Sequence, residues 1–197
     1  MRTKLLEYGV AARTHPDESK SGDSYLVSPF RRGVLVAVLD GLGHGVEAAE
    51  AARIALDTLA EHASESPISL VRRCHANLPG TRGVVMSLAS FDSAEDTVMW
   101  LGVGNVEGWL MRGAGKAAPN RESLLLRGGV VGGQLPELRA SVLPVSRGDT
   151  LVFATDGVTI DFADGLHGET PQSSADLIMD AYRKGNDDAL VLVARYR

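Results

Sequence analysis

The sequence has few cysteine and aromatic residues and no excess of positive charge. Its one cysteine, Cys74, has no partner for an internal disulfide, so packing must hold the fold together. A formal net charge of -5 lacks the basic character of nucleic-acid-binding proteins. We therefore expect no nucleic-acid partner.

Long apolar runs are missing as well. The longest, Val34–Leu39, is far shorter than the roughly 20 residues that a membrane-spanning helix needs. The first ten residues mix Arg2, Lys4 and Glu7 among leucines, which is not the pattern of a signal segment. We expect no membrane association and a cytoplasmic location.

The chain contains enough apolar material for one domain. It has 197 residues, of which 44% are hydrophobic, and a chain of this size can bury a core without disulfides. No linker, repeat or low-complexity segment divides it, so we predict a single domain over residues 1–197. We expect this domain to be a monomer.

Hydrophobic periodicity predicts many short strands and three helices. Strands are predicted at Lys4–Arg13, Ser24–Phe30, Gly33–Leu39, Gly83–Phe91, Thr97–Val103, Glu107–Met111, Ser123–Leu126, Arg139–Val145, Thr150–Ala154 and Ala189–Ala194. Helices are predicted at Val46–Ala63, Pro67–Asn77 and Ser173–Tyr182, with Ser173 or Ser174 capping the last. This order of elements predicts an α+β domain in which helices cover antiparallel sheets.

Residues 83–154 are important for this fold class because no predicted helix interrupts them. Parallel strands need a crossover of a dozen or more residues, which is usually a helix. A parallel α/β fold is therefore disfavoured, and we expect these strands to form a long antiparallel meander.

Four short motifs place an aspartate beside a glycine or at the end of a strand-like run. These aspartates are Asp23 in Ser-Gly-Asp-Ser-Tyr, Asp40 in Asp-Gly-Leu-Gly-His-Gly, Asp156 in Thr-Asp-Gly, and Asp187 in Asn-Asp-Asp. A rigid scaffold can gather carboxylates from such positions around hard cations, which prefer oxygen ligands. The motifs indicate a metal-dependent hydrolase.

The segment Asp40–Gly45 allows three interpretations. Its glycines lie between a strand and a helix and could cradle a nucleotide phosphate, although the spacing is GxGxG and no lysine follows. It could also be a plain turn in which Asp40 caps the helix. In a metal site, Asp40 offers a carboxylate and Gly41 a carbonyl, while the glycines let the backbone approach closely. We favour the metal site.

Taken together, the motifs resemble the bacterial branch of the PPM metal-dependent protein serine/threonine phosphatases. The resemblance is carried by Ser21–Tyr25, Asp40–Gly45, Arg147–Gly157 and Asp187–Arg195, in the order and spacing of that family. Within the branch, the small chain is most similar to stand-alone phosphatases of the stressosome. The resemblance implies two packed antiparallel β-sheets flanked by helices, with a site for two Mn²⁺ or Mg²⁺ ions at one end.

The resemblance also implies roles for individual residues. Asp40 would bridge the two metal ions, and the Gly41 carbonyl would bind one of them. Asp23, Asp156 and Asp187 would complete the site, with Asp40 and Asp156 as the catalytic carboxylates. Two hard cations can lower the pKa of a bridging water and neutralise a phosphoryl group during in-line attack.

Two positions in these motifs remain open. Asp187 and its neighbour Asp188 both precede the last strand, and we favour Asp187 as the ligand. Many members of the wider family place a histidine where this chain has Leu42, and His44 follows two positions later. His44 is either the general acid for the leaving alkoxide or a residue that packs or hydrogen-bonds in the turn.

Two further segments depart from the pattern or fall outside it. The eukaryotic group has a phosphate-binding arginine before its first acidic motif, whereas this chain has Asp17–Lys20. Substrate phosphate would then be held chiefly by the metal ions and their waters. The segment Phe162–Gln172 is either a loop over the metal site that contacts a partner protein or an ordinary surface loop.

The function implied by the resemblance is removal of phosphate from serine or threonine in a regulatory protein. The expected partners are phosphorylated STAS-domain proteins of a stressosome, and the effect would be to reset a stress-signalling cascade. Two other functions stay open: a phosphatase for small phosphate esters, and a non-catalytic binding module with a decayed site. A missing carboxylate would favour the module, and none is missing.

Overall fold

The computed structural model describes residues 1–113, 121–159 and 169–197, which form two packed β-sheets flanked by helices. The strands are β1 Leu6–Arg13, β2 Asp23–Phe30, β3 Gly33–Gly41, β4 Val84–Asp92, β5 Thr97–Val103, β6 Glu107–Met111, β7 Arg121–Ser123, β8 Leu126–Arg127, β9 Ser141–Pro144, β10 Thr150–Ala154 and β11 Ala189–Tyr196. The helices are α1 Val46–Glu61, α2 Pro67–Asn77 and α3 Pro171–Tyr182.

Each sheet is assembled from distant parts of the chain. The first sheet has the order β1-β11-β10-β6-β7, and the second has the order β2-β3-β4-β5 with both β8 and β9 beside β5. Strand β8 runs parallel to β5, and the other paired strands are antiparallel. The predicted α+β fold of two packed antiparallel sheets flanked by helices is confirmed.

Strand β3 shows how the layers are built, because it is buried on both faces. Alternate residues from Val34 to Val38 pack between the two sheets, and those from Leu35 to Leu39 pack against α1 and α2. Side chains alternate between the faces of a strand, so Asp40 continues the row that faces the other sheet. Its carboxylate therefore lies at one end of the core between the sheets.

Helices α1 and α2 cover the outer face of the second sheet. Ser66 caps α2 by accepting a hydrogen bond from the amide of Ser69 at 3.2 Å, and Pro67 occupies the first turn. Buried alanines of α1, including Ala51 and Ala55, bring this helix close to the sheet. Among the described residues, no helix combines the length and apolar character that a bilayer span requires.

Helix α3 covers the outer face of the first sheet and begins earlier than predicted. Its cap is Thr170, whose hydroxyl accepts from the amide of Ser173, while the Ser173 hydroxyl accepts from the amide of Thr170. Ser173 is thus the third helical residue of a capping box, and the prediction of Ser173 or Ser174 as the cap was wrong. Pro171 favours the earlier start because its fixed φ suits a first turn.

The predicted long meander was also wrong. Strands β4 and β5 pair within the second sheet, but β6 crosses to the first sheet and pairs with β10. The predicted strand Ser123–Leu126 is two strands, since β7 pairs with β6 and β8 with β5. Inner faces of both sheets in a sandwich show the same alternation, so periodicity does not reveal which sheet a strand joins.

Gly9 in β1 is where α3 lies closest to the sheet, and it provides a test of this packing. A Cβ at Gly9 would lie 2.2 Å from Cα of Gln172, and the Gln172 side chain is bonded to the backbone of Val10. We expect Gly9→Ala to lower the free energy of unfolding by about 1–3 kcal/mol, measured by urea denaturation.

Gly128→Ala is the matched control for Gly9→Ala. No atom of the described residues lies within 4 Å of a Cβ built at Gly128, so we expect a change below about 0.5 kcal/mol. Equal unfolding midpoints for the two variants would contradict the close approach of α3.

Candidate metal centre

The ends of four strands meet at one end of the core between the sheets. Asp23 begins β2, Asp40 lies near the end of β3, and the two are direct partners in the β2–β3 ladder. In the other sheet, Asp156 follows β10 and Asp187 precedes β11, and these two strands are paired. Antiparallel pairing therefore places the four predicted aspartates at the same end of the sandwich.

Three of the four aspartates share one cavity of about 230 Å³. The cavity is lined by Asp40, Leu42, Gly43, His44, Val85, Asn105, Asp156 and Asp187. Asp23 is not exposed there, since it lies buried in the ladder beside Asp40. A larger cavity of about 490 Å³ surrounds the Phe30–Gly33 hairpin at the opposite end and contains no predicted site residue.

The carboxyls of Asp23 and Asp40 are held in their protonated form more strongly than is usual. Burial, followed by the charge of Asp40, raises the pKa of Asp23 to about 8, although a hydrogen bond from Thr155 Oγ1 at 2.7 Å opposes this rise. Burial, followed by the charges of Asp156 and Asp187, raises the pKa of Asp40 to about 7. Ionising both carboxyls in this buried cluster is therefore unfavourable unless a cation compensates their charge, and no lysine or arginine lies among the described residues that line the cavity.

The donor set fits divalent cations of the hard class. Its side-chain donors are carboxylate oxygens, which suit Mg²⁺ and Mn²⁺ rather than thiophilic metals. Within the part of the chain that the structure describes, no group of three or more acidic, histidine or cysteine side chains is arranged so that it could hold a metal ion as it stands. Mg²⁺ retains several waters and takes only one or two carboxylates, so an open arrangement is compatible with it.

Asp187 and Asp188 have different surroundings. The carboxylate of Asp188 is buried and accepts hydrogen bonds from the amides of His15 at 2.8 Å and Gly22 at 2.7 Å. Asp187 lines the cavity, and one of its oxygens accepts from the amide of Asp188 at 2.8 Å. Asp188 therefore ties the segment before β2 to β11, and Asp187 stays the predicted ligand.

The glycine motif after β3 allows α1 to approach the sheet. A Cβ at Gly41 would lie 2.1 Å from the carbonyl oxygen of Ala48 in α1, so only glycine fits. The residue before α1 is Gly45, and no side chain caps this helix. The interpretation of Asp40 as the helix cap was therefore wrong.

His44 lines the cavity and is held by two side chains from the segment before β2. Its Nδ1 lies 2.5 Å from Oε1 of Glu18, and its ring stacks on that of His15 with centroids 5.3 Å apart. The hydrogen-bonded alternative for His44 therefore holds in the structure. Because His44 also faces the cavity, its role as general acid stays a prediction.

Sequence reasoning missed several residues that support the aspartates. Asn105 donates to Oδ2 of Asp156 at 2.8 Å, Thr155 donates to Asp23, and Glu18 holds His44. Thr155 could have been found, because strand alternation after β10 points it toward the other sheet. Asn105 and Glu18 lie in turns and carry no local signal. The segment Phe162–Gln172 lies outside the described residues as far as position 168.

Known proteins resemble this chain in both sequence and fold. Residues 31–197 match the sequence profile of Stage II sporulation protein E (SpoIIE). Phosphoserine phosphatase RsbX of Bacillus subtilis (strain 168) is 27% identical over 147 residues, which are 73% of this chain and 71% of that protein.

Two solved structures resemble the chain over nearly its whole length. One, described as "The bacterial stressosome: a modular system that has been adapted to control secondary messenger signaling", is 29% identical, with a TM-score of 0.89 over 96% of this chain and 99% of that one. The other is RsbX in complex with magnesium, 22% identical, with a TM-score of 0.88 over 100% of this chain and 98% of that one.

The raised pKa values predict how the stability of the metal-free protein depends on pH. Asp23 and Asp40 ionise near 3.8 in an unfolded chain but only near 8 and 7 in the folded protein. Between these values the unfolded state binds fewer protons than the folded state, so stability falls as pH rises from about 4 to about 8. We expect Tm to fall over this range in chelator-treated protein, measured by calorimetry.

Added Mn²⁺ should reverse this loss because it binds the ionised carboxylates. We expect the rise in Tm on adding Mn²⁺ to be larger at pH 8 than at pH 5, with each kcal/mol of stabilisation worth about 2–4 °C. Asp23→Asn should flatten the pH dependence, whereas Asp57→Asn on the exposed face of α1 should not. An equal rise at both pH values would contradict the assignment.

Proposed function

The chain belongs to the SpoIIE family, and we propose that it is a metal-dependent protein phosphatase that hydrolyses phosphoserine or phosphothreonine. The observation that carries this proposal is the meeting of Asp40, Asp156 and Asp187 in one cavity from three different strand ends. The similarity to a phosphoserine phosphatase supports the same reaction.

Two ions of Mg²⁺ or Mn²⁺ would be held by Asp23, Asp40, the Gly41 carbonyl, Asp156 and Asp187. When bound, such ions supply positive charge for the phosphoryl group and lower the pKa of water for in-line attack. Thr155 holds one oxygen of Asp23, and Asn105 holds one oxygen of Asp156. These contacts position the two carboxylates before any substrate arrives, which electrostatic catalysis requires.

His44 would protonate the alkoxide of serine as it leaves. Its Nδ1 is engaged by Glu18, so Nε2 is the nitrogen that donates the proton. The stacked ring of His15 restricts rotation of the imidazole. Glu18 and His15 thus act as positioning residues for His44.

The proposed substrates are phosphorylated STAS-domain regulatory proteins of a stressosome, and the proposed role is to reset stress signalling. The similarity to RsbX and to a structure described under the bacterial stressosome supports this assignment. We further propose that the chain acts as a monomer in the cytoplasm.

Phosphate release with and without Mn²⁺ tests the proposed function. The substrates are para-nitrophenyl phosphate and a phosphoserine protein, and the variants are Asp40→Asn and Asp156→Asn. We expect metal-dependent release that falls by about 10²–10³-fold or more in both variants, because each loses charge that holds the metal ions. Asp57→Asn, on the exposed face of α1, should retain full activity.

Two outcomes of this assay would contradict the proposal. No release with any metal by folded protein would indicate a binding module with a phosphatase fold. With free phosphoserine added as a third substrate, its fast turnover without preference for the phosphoprotein would indicate a phosphatase for small esters.

The role of His44 is tested with leaving groups of different basicity. A serine alkoxide needs a proton as it leaves, whereas para-nitrophenolate leaves well without one. We expect His44→Ala to slow hydrolysis of the phosphoserine protein by about 10²-fold or more and that of para-nitrophenyl phosphate much less. Glu18→Gln should show the same pattern more weakly, and equal losses on both substrates would argue against a general acid.

A further inference from the structure

Arg82 lies against the loop that forms one wall of the metal-centre cavity. It belongs to the turn between α2 and β4. A Cβ built at Gly43 would lie 2.4 Å from Nη1 of Arg82, and Gly43 lines the cavity. The guanidinium therefore sits at the edge of the candidate site, although it comes from a segment 39 positions further along the chain.

The backbone that carries Arg82 is fastened to this loop. The amide of Leu42 donates to the carbonyl of Gly83 at 3.1 Å. The amide of Gly83 donates to Oγ1 of Thr81 at 3.1 Å, and this hydroxyl donates to the carbonyl of Leu78 at 2.7 Å. The backbone of Arg82 is thus held beside the cavity wall, and its side chain is half-exposed.

The present partner of Arg82 is a weak one. Its Nη2 lies 2.5 Å from Oε2 of Glu47 in the first turn of α1, and the two side chains are 49% and 70% exposed. Exposed ion pairs contribute little to stability, so another anion can replace Glu47 at small cost. A second cavity of about 470 Å³, separate from the metal-centre cavity, borders both side chains and leaves them space to move.

The metal-centre cavity offers a bound phosphate little positive charge from protein side chains. Of the described residues that line it, none is lysine or arginine, and three are aspartates. A guanidinium matches phosphate with two parallel hydrogen bonds, which a carboxylate-rich site cannot supply. The segment Asp17–Lys20 contains no arginine.

We propose that Arg82 binds the phosphate group of the substrate, exchanging Glu47 for it. This inference rests on the proposed phosphatase function and assigns phosphate recognition to a residue outside the aspartate motifs. Glu47 then acts as a competitor that holds the guanidinium in place until a phosphate ester arrives.

Steady-state kinetics of the Mn²⁺-loaded protein with para-nitrophenyl phosphate test this proposal, with inorganic phosphate as inhibitor. We expect Arg82→Ala to raise both KM and the inhibition constant of phosphate about tenfold, because a charge-assisted contact is lost. For Arg82→Lys, both constants should lie between those of the unmodified protein and those of Arg82→Ala, since lysine offers a single point charge. Glu47→Gln should lower the inhibition constant about twofold, because the competing carboxylate is gone.

Arg53→Ala is the matched control, since Arg53 is also an exposed arginine paired with carboxylates on α1. It should leave KM, kcat and the inhibition constant unchanged. Unchanged KM and inhibition constant in Arg82→Ala would overturn the proposal, as would a loss confined to kcat. Urea denaturation midpoints confirm that each variant is folded.

Direct calorimetric binding of inorganic phosphate separates this inference from the proposed function. If the unmodified protein releases no phosphate but binds inorganic phosphate, weaker binding by Arg82→Ala still supports Arg82 as an anion site. Equal binding by both proteins, or no binding by either, would overturn it.

Discussion

Burial of aspartates at one end of the sandwich, together with the repulsion among them, is the constraint that organises this molecule. Burial and neighbouring carboxylates raise the pKa of Asp23 to about 8 and that of Asp40 to about 7. Such a cluster opposes folding unless a cation or protons neutralise it. Long ladders such as β2–β3 and β1–β11, with apolar cores on both sides, hold the cluster together. The scaffold thus stabilises an arrangement that favours metal binding.

One carboxylate at this end, that of Asp188, has a structural role that differs from the role proposed for its neighbours. Asp188 accepts two backbone hydrogen bonds from the segment before β2, which also carries His15 and Glu18. That segment in turn holds the ring of His44 at the cavity. A single buried aspartate beside β11 therefore fixes the position of His44 on the other side of the site. Loss of Asp188 would disturb both the strand junction and the proposed general acid.

Local patterns predicted the elements and the aspartates, but not the contacts between distant segments. The bounds of α2, β5, β6 and β10 agree with the prediction because turn residues and periodicity change sharply there. The crossing of the chain between the sheets at Leu124 and Leu125 was not predicted, since an apolar run has the same pattern whichever sheet it joins. Glu18 reaches His44 across 26 positions and Asn105 reaches Asp156 across 51, distances over which sequence shows no pattern.

The glycines of the aspartate motifs also favour the metal interpretation over the nucleotide interpretation. A phosphate-cradling loop needs free backbone amides, but the amides of Gly41 and Leu42 donate to Gly22 and Gly83. Gly41 lets α1 approach, and a Cβ at Gly157 would lie 1.9 Å from the carbonyl oxygen of Asp188. These glycines therefore bring protein backbone close to the site. Close packing of this kind sets the aspartates in place, and in the proposed phosphatase the phosphate would be held by the metal ions and by side chains at the rim.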